Sequence, residues 1–413
     1  MSVSAASFRL ALRRLCAIAC AVAVVALAGC KTPPAPPPPP PPVAVQPPAP
    51  HQLSADQPSF FKLPNLAPDK TPVRVGIILP FSSSSANVRA LANSMMKAAE
   101  LALYESGNRD ILLMAADDTG SPADAAAAAQ KLLDQGAEVI IGPIFSASVS
   151  AVAPLARDRG VPVLAFSTDR SVAGNGIYLM SFQPQSEVGR VIAYAASQGH
   201  KNFAALIPQT PYGDVVEQSF RQAVATAGAT VSSVERFNPG AGAIMEPAAA
   251  VAKSGCDAVF IAQGGSLLRS IVPTLAYDGV DSTKVKYLGT GLWSDPATIK
   301  EPLLSGAWFA APQPSGNDAF NAKYRQTFGV EPPQLASLAY DAISLVALLA
   351  PGTPYHRFTL AALIDVNGFT GVNGIFRFRA DGSIERGLAV LAVDPNGFSV
   401  VSPALTTFQA SGS

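Results

Sequence analysis

Short apolar runs alternate with longer amphipathic or alanine-rich stretches from residue 73 onward, and this alternation constrains the fold more than any other feature. The last four of the eight runs begin 27 or 28 residues apart, which is the length of one strand, one helix and two short loops. The pattern predicts an α/β fold in which tandem βα blocks build two doubly wound parallel-sheet lobes. The eight predicted strands are Val73–Leu79, Ile111–Ala116, Glu138–Ile141, Val161–Phe166, Phe203–Ile207, Thr230–Arg236, Ala258–Ala262 and Val285–Leu288.

Helix signals occupy the stretches between these runs. Ser121 offers an N-cap hydroxyl, Pro122 takes the first helical position, and Asp124 follows three residues after the cap. Between Asn87 and Glu105, apolar residues at three- and four-residue steps predict one face of a helix. The remaining predictions are a strand over Gly306–Ala311, helices over Asn317–Phe328 and Leu335–Leu349, and a hairpin that pairs Ile375–Phe378 with Leu388–Val393.

The N-terminal segment is typical of an exported protein. Arg9, Arg13 and Arg14 precede roughly 14 apolar or small residues, fewer than the ~20 that a membrane-spanning helix needs. The run ends in Leu27-Ala28-Gly29-Cys30, which resembles the end of a bacterial lipoprotein signal. We therefore predict a signal peptide over residues 1–29 and a lipidated Cys30 as the first mature residue. A common secretory signal that contains a cysteine is the alternative.

Residues 30–72 are predicted to form a tether. Thr32–Pro50 consists almost wholly of Pro, Ala and Val, a composition that favours extended polyproline II and does not build a core. At about 3.1 Å per residue, the roughly 40 residues between Cys30 and the first predicted strand could hold a domain up to ~100 Å from the membrane. A recognition site for a proline-binding domain is the alternative.

Composition excludes several classes of protein. The net charge is zero and only 14% of residues are charged, with no basic run after the signal, so nucleic acid is not an expected partner. Once the signal is removed and Cys30 carries lipid, Cys256 is the only free cysteine, which leaves no intrachain disulfide. Its position before an apolar run favours a buried structural thiol over a nucleophile.

Six short motifs together resemble one family. In order and spacing they are similar to the type I periplasmic binding proteins of the leucine/isoleucine/valine-binding class. The resemblance implies two lobes, joined by three crossovers, that close on a ligand by hinge motion. The motifs are Val75–Pro80, Ile140–Pro143 with Ser146, Gly160–Val163, Thr210–Gly213, Ala339–Ala342 and Gly371–Phe378.

The same resemblance implies lobe boundaries. The first lobe is expected to contain residues 73–185 and 309–370, and the second lobe residues 186–308 and 371–405.

The ligand contacts are also carried over from this resemblance. In such proteins the polar head group of the ligand meets three loops of the first lobe and an aromatic residue of the second. Hydroxyls and N–H groups at strand ends suit carboxylate or amide oxygens. Helix capping remains the alternative for the serines, and a simple turn remains the alternative for Tyr212 and Gln263. The contacts that the resemblance implies are Ser82, Ser83, Ser146, Ser148, Ser167, Thr168 and Asp169 in the first lobe and Tyr212 in the second. Two further second-lobe residues complete the expected set: Gln263, which could hydrogen-bond a neutral polar ligand, and Trp293.

One departure from the family pattern concerns charge. Amino-acid receptors of this class place a carboxylate in the loop after the fourth strand of the second lobe, where it pairs with the ligand ammonium. Here residues 289–295 contain no acid before Asp295, which is expected to cap a helix. A buried ammonium without a charged partner costs several kcal/mol. The sequence therefore argues against a free α-amino acid as ligand.

Enzyme motifs are incomplete. Ser94 and Lys97 match Ser-x-x-Lys, but the companion elements of penicillin-interacting enzymes are missing from the exported chain. His51, His200 and His356 are far apart in sequence, and no phosphate or dinucleotide loop occurs. We expect no enzymatic activity, no metal and no cofactor.

Two function classes remain. The first expectation is a lipid-anchored regulator that resembles penicillin-binding protein activators and contacts a peptidoglycan synthase. Lys31 after the lipidated cysteine favours the outer membrane over the inner one, in the periplasm of a double-membrane host. The alternative is a receptor that passes branched-chain amino acids, amides or similar small polar solutes to an ABC permease. In both cases the membrane is contacted through the lipid alone.

Overall fold

The computed structural model describes residues 60–64, 71–240 and 243–408. The predicted signal peptide, Cys30 and nearly all of the predicted tether lie outside the described residues. Within that tether, Phe60–Lys62 forms a short strand that pairs antiparallel with the sheet. The tether prediction is therefore wrong for these three residues.

The first sheet has six strands in the order β1-β3-β2-β4-β5-β6. All pairs are parallel except the edge pair of β1 with β3. Apolar side chains cover both faces, as both sides of a doubly wound sheet require. The strands are β1 (Phe60–Lys62), β2 (Val73–Leu79), β3 (Ile111–Asp117), β4 (Val139–Ile141), β5 (Val163–Ala165) and β6 (Ile177–Leu179).

The second sheet has seven strands in the order β16-β15-β11-β10-β9-β7-β8. Strands β8, β7, β9, β10 and β11 run parallel, and β15 and β16 are added antiparallel at one side. This sheet also has an apolar core on each face. The strands are β7 (Asn202–Pro208), β8 (Thr230–Phe237), β9 (Ala258–Ile261), β10 (Lys286–Gly289), β11 (Trp308–Ala311), β15 (Ala389–Asp394) and β16 (Gly397–Ser402).

Ten α-helices connect the strands in the described part of the chain. The N-terminus of α2 forms as its sequence predicts, because the Ser121 hydroxyl accepts from the N–H of Asp124 over 3.1 Å and Pro122 begins the helix. The helices are α1 (Ala86–Ser106), α2 (Pro122–Asp134), α3 (Ser146–Asp158), α4 (Pro184–Ser197), α5 (Pro211–Thr226), α6 (Met245–Ala252), α7 (Gly265–Tyr277), α8 (Pro314–Phe328), α9 (Ala336–Leu349) and α10 (Leu360–Leu363).

A small antiparallel sheet corrects the expected hairpin. It contains β12 (Phe369–Gly371), β13 (Gly374–Phe378) and β14 (Ile384–Arg386). Strand β13 therefore pairs with β14, whereas the stretch expected to be its partner forms β15 and joins the second sheet. The hairpin prediction is wrong because β15 is apolar on both faces and suits a strand enclosed by neighbours.

The small sheet also changes the expected lobe boundaries. Phe376, Phe378 and Ile384 pack into the core of the first lobe, although residues 371–405 were assigned to the second. Strand β11 lies in the second sheet, although the first lobe was expected to resume at residue 309. The chain thus crosses between the lobes after β6, after β11 and between β14 and β15. These crossings place the two sheets in separate lobes that share three connecting segments.

None of the helices in the described ranges combines the length and the hydrophobicity that crossing a bilayer requires. Cys256, the free cysteine of these ranges, is half-buried beside the second core. Burial raises the pKa of its thiol, as expected for a structural residue.

Candidate functional site

The strand order changes direction at one point in each sheet, and several of the proposed ligand residues follow the strands at that point. In the first sheet β2 lies between β3 and β4, and in the second sheet β7 lies between β8 and β9. At such a point the loops after neighbouring strands diverge and leave a crevice at the carboxyl ends, where ligands of open α/β sheets bind. The loops after β2 and β9 contain Ser82 and Gln263, and the helices that follow β4 and β7 begin at or next to Ser146 and Tyr212.

The loop after β4 places Ser146 at the first position of α3. Gly142 has a φ of +83°, and a Cβ added to it would lie 2.2 Å from the carbonyl oxygen of Ile78, so glycine is required for the close approach of these two strands. The N-cap residue of α3 is Phe145, whose side chain makes no capping hydrogen bond. The first-turn N–H groups of α3 therefore have no side-chain cap, and together with the Ser146 hydroxyl they can meet an anionic group.

Strand β5 lies next to β4 in the sheet, and the segment just after it contains Ser167, Thr168 and Asp169. The Ser167 hydroxyl is buried and accepts from the N–H of Asp169 over 3.1 Å, while Thr168 and Asp169 are exposed. Asp169 caps the turn Arg170–Val172 through the N–H of Ser171 at 2.9 Å. Hydrogen bonds from Ser171 and from the Ser146 hydroxyl lower the pKa of Asp169. The structure thus brings Ser146, Thr168 and Asp169 to one side of the crevice.

The loop after β2 is fastened to β3. The N–H of Ser82 donates to Asp117 Oδ1 over 3.2 Å, and Ser82 is exposed. Although burial alone would raise it, the pKa of Asp117 is held low by hydrogen bonds from Ser82 and Thr119. The Ser83 hydroxyl is buried and accepts from the N–H of Ser85 over 3.4 Å. Ser83 therefore shapes the loop from within, whereas Ser82 is open to a ligand.

Ser148 lies behind the loop, fully buried beside Asp118. Burial raises the pKa of Asp118, and the nearby Ser148 hydroxyl partly offsets the effect. The two side chains are close but do not reach hydrogen-bond geometry, since the Ser148 Oγ and the Asp118 Oδ2 both have no partner. This position makes Ser148 a supporting residue of the loop, unlike the exposed Thr168.

Tyr212 belongs to the second lobe and lies in the first turn of α5, just after β7. Its hydroxyl lies 3.2 Å from the Thr290 hydroxyl, which is fully buried in the loop after β10. Burial raises the pKa of Tyr212, and the negative charge of Glu187 adds to the effect. Tyr212 is therefore a neutral hydrogen-bonding group with a partly exposed ring.

Gln263 and Trp293 lie side by side, but they differ in access. Gln263 is half-buried, and its backbone carbonyl accepts from the Trp293 indole N–H over 2.8 Å. Trp293 is fully buried and packs against Phe309 in the second core, with ring centroids 6.2 Å apart. The assignment of Trp293 as a ligand contact is corrected here, because its polar atom is already bonded and its ring belongs to the core.

Glu187 is a buried carboxylate in this region that the motif comparison missed. It lies in the first part of α4, on the same face as Val188, Val191 and Ile192. Its Oε2 accepts from the N–H of Gly291 over 3.2 Å, and burial raises its pKa to about 7. The only sequence signal is an acid placed on an apolar helix face, where charge is rarely buried without a reason.

An open groove of about 900 Å³ lies next to these residues without coinciding with them. It runs between α4 and α5 on one side and the turn at Asp169–Ser171 on the other, and Gln185 and Gln218 contribute to its walls. Of the proposed ligand contacts, only Asp169 lines it. The candidate site is therefore placed at the strand ends, where the polar residues described above lie, and not in this groove.

The chain is similar to one family along most of its length. The family model described as "Periplasmic binding protein" matches residues 72–398. Among curated proteins, an uncharacterised protein of Rickettsia prowazekii is 23% identical over 111 residues. That match covers 27% of this chain and 30% of the length of the relative.

Solved structures share the fold. A structure from Rhodospirillum rubrum, provisionally assigned as a branched-chain amino acid ABC transporter, has a TM-score of 0.72 and 21% identity and covers 80% of this chain and 100% of its own. The branched-chain amino acid substrate-binding protein of Streptococcus pneumoniae in complex with isoleucine has a TM-score of 0.59 and 20% identity, with coverage of 80% and 100%. A solute-binding protein of R. palustris in complex with benzoate has a TM-score of 0.59 and 18% identity, with coverage of 81% and 97%.

Proposed function

Because the chain belongs to the periplasmic binding protein family, we propose that it is an extracytoplasmic receptor that binds a small solute between its lobes and passes it to an ABC permease. One observation carries the proposal: each lobe has polar residues just after the strands that flank its strand-order reversal, and the two lobes are connected by three segments. Lobes connected in this way can rotate about those segments and enclose a ligand. The matched relatives and the fold favour this alternative over the expected regulator of peptidoglycan synthesis, for which they offer no support.

The first-lobe loops suit a carboxylate group on the ligand. Ser146, Thr168 and the uncapped N–H groups of α3 offer hydrogen-bond donors at one strand edge. Isoleucine and benzoate, which are bound by two of the structural neighbours, both contain a carboxylate. We propose that Ser82, Ser146, Ser167 and Thr168 bind this group, and that Tyr212 and Gln263 contact the ligand from the second lobe.

Ligand binding tests this function directly. We propose thermal melting and calorimetry with two matched panels: α-amino acids, and carboxylic acids without the amine, including benzoate. A ligand that binds only the folded state raises the melting temperature as its concentration increases. Ser146→Ala should weaken that binding by roughly tenfold, since one hydrogen bond to a charged group is lost. Ser270→Ala, an exposed serine on α7, is the matched control.

Binding by no member of either panel would contradict the receptor function. Retention of full affinity in Ser146→Ala would contradict the assignment of the first-lobe site. The lipid anchor at Cys30 and residence in the outer membrane stay predictions, because both depend on residues outside the described ranges.

A further inference from the structure

The loop after β10 has no carboxylate of its own. Residues 289–294, where the family resemblance implies an acid, contain none, and the first acid is Asp295. Asp295 is exposed and accepts from the N–H of Ala297 over 2.8 Å, so it caps the following turn. The loop by itself therefore offers no counter-charge to a cationic ligand group.

A carboxylate from another element lies against this loop. Gly291 donates its N–H to Glu187 Oε2, and a Cβ added to Gly291 would lie 2.8 Å from Glu187 Oε1. Gly291 does not have a positive φ, so its backbone does not demand glycine. The carboxylate of Glu187 occupies the space that a side chain at position 291 would need.

Glu187 has no cation among the described residues. Among the described residues, its carboxylate accepts one hydrogen bond, from the N–H of Gly291, and no cationic side chain lies within 4.0 Å of it. Arg386 lines the same narrow gap between the lobes, but its ion-pair partner is Asp341, at 3.8 Å. Tyr212, the other titratable group near Glu187, is a neutral phenol. A buried carboxylate without a counter-charge is costly, so the group either takes up a proton, as its raised pKa indicates, or pairs with a cation supplied from outside the chain.

We propose that Glu187 is the counter-charge for a protonated amine on the ligand, which makes an α-amino acid the ligand class. This inference rests on the proposed receptor function. In the proposed complex, the ligand carboxylate binds the first-lobe hydroxyls. The ligand ammonium meets Glu187 beside Gly291 and Tyr212 when the lobes close. The absence of an acid from the loop after β10 therefore does not exclude an α-amino acid, because Glu187 on α4 supplies the negative charge.

The test uses the full mature chain and the same two ligand panels. The amino acids should bind, and their deaminated counterparts with the same side chain should bind at least roughly tenfold more weakly, because the charged hydrogen bond is lost. Glu187→Gln should weaken amino-acid binding by a similar factor and leave the affinity for deaminated acids unchanged. Glu246→Gln, an exposed acid on α6, is the control substitution.

A transplanted carboxylate provides a second, independent readout. Glu187→Ala removes the group that blocks position 291, and Gly291→Glu then places an acid in the loop itself. The double variant should regain amino-acid binding that Glu187→Ala has lost. A double variant that melts like the wild type but does not regain binding would contradict the proposal.

The remaining outcomes are distinguishable. Unchanged amino-acid affinity in Glu187→Gln, or loss of it in Asp169→Asn alone, overturns the role of Glu187 and leaves the receptor function intact. Binding of deaminated acids but not of amino acids likewise overturns the role of Glu187 and leaves the receptor function intact. Failure of both panels overturns the receptor function, and this inference falls with it.

Discussion

Arg386 donates from Nε to the carbonyl oxygen of Ser181 over 3.2 Å, and this contact joins two of the segments that connect the lobes. Arg386 ends β14 before the third crossing, and Ser181 follows β6 at the first crossing. The guanidinium is buried between the rings of Phe182 and Phe376, each 5.2 Å from it. The contact therefore holds the first and third connecting segments together.

The first prediction concerns the buried pair Arg386 and Asp341. Burial lowers the pKa of Arg386 to about 10, and Asp341 partly offsets the effect. Asp341→Asn leaves the guanidinium without its counter-charge, and Arg386→Met leaves the carboxylate without its own. Each single variant should lower the free energy of unfolding by about 3–5 kcal/mol.

Urea denaturation of the two single variants and the double variant measures this pair. The double variant should lose clearly less than the sum of the two, because the groups compensate each other. Arg379→Ala removes an exposed partner of Glu385 and should cost at most about 1 kcal/mol. Additive losses would show that the pair is not coupled.

The second prediction concerns pH and Glu187. Burial raises the pKa of this carboxyl from 4.5 to about 7, while the unfolded chain keeps the lower value. Between these values unfolding releases a proton, so rising pH favours the unfolded state, and the loss is complete above pH 7. Relative to Glu187→Gln, the wild type without ligand should lose about 3 kcal/mol of stability between pH 4.5 and 8.

Thermal melting of both proteins across that range checks the prediction, since all other titrating groups are shared. Tyr212 lies near Glu187, and Arg386 lines the same gap but pairs with Asp341; the phenol stays neutral and the guanidinium stays charged in this range. A constant difference between the two melting curves from pH 4.5 to 8 would show that Glu187 has an ordinary pKa.

The third prediction concerns the start of β4. Glu138 is buried, receives the N–H of Tyr355 over 2.7 Å and forms an ion pair with the buried Arg357. Glu138→Ala should cost about 3–5 kcal/mol of unfolding free energy, because Arg357 keeps a buried charge. The exposed pair of Glu331 with Arg325 provides the control, and Glu331→Ala should cost at most about 1 kcal/mol. Equal losses in urea denaturation would contradict the argument from burial.

The fourth prediction concerns the N-terminus. Cys30→Ala should yield an unlipidated precursor, because the sulfur that forms the thioether is missing from the signal. Metabolic labelling with an acyl-chain analogue measures it. Label at the wild-type level in Cys30→Ala would show that the lipoprotein signal is misassigned.

Much of the fold could be predicted from local sequence. The bounds of β2 agree residue for residue with the prediction, and the capping residues of α2 act as expected. These features depend on short-range properties, namely an apolar run and a local hydrogen bond. The pairing of β13 could not be read in this way, because its partner β14 contains only one apolar residue, Ile384, whereas the apolar run that follows, β15, joins the second sheet.

The sequence by itself determined the two-sheet architecture and the placement of Ser146, Thr168 and Tyr212 shortly after strands, since strand and helix periodicity depend only on neighbouring residues. The tertiary structure alone decided the charge of the site. Glu187 and Gly291 are separated by 104 positions in the chain, and only the packing of α4 against β10 and β11 brings them together. Burial is likewise a property of the assembled core, which made Trp293 a packing residue and Glu187 a carboxylate without a cation.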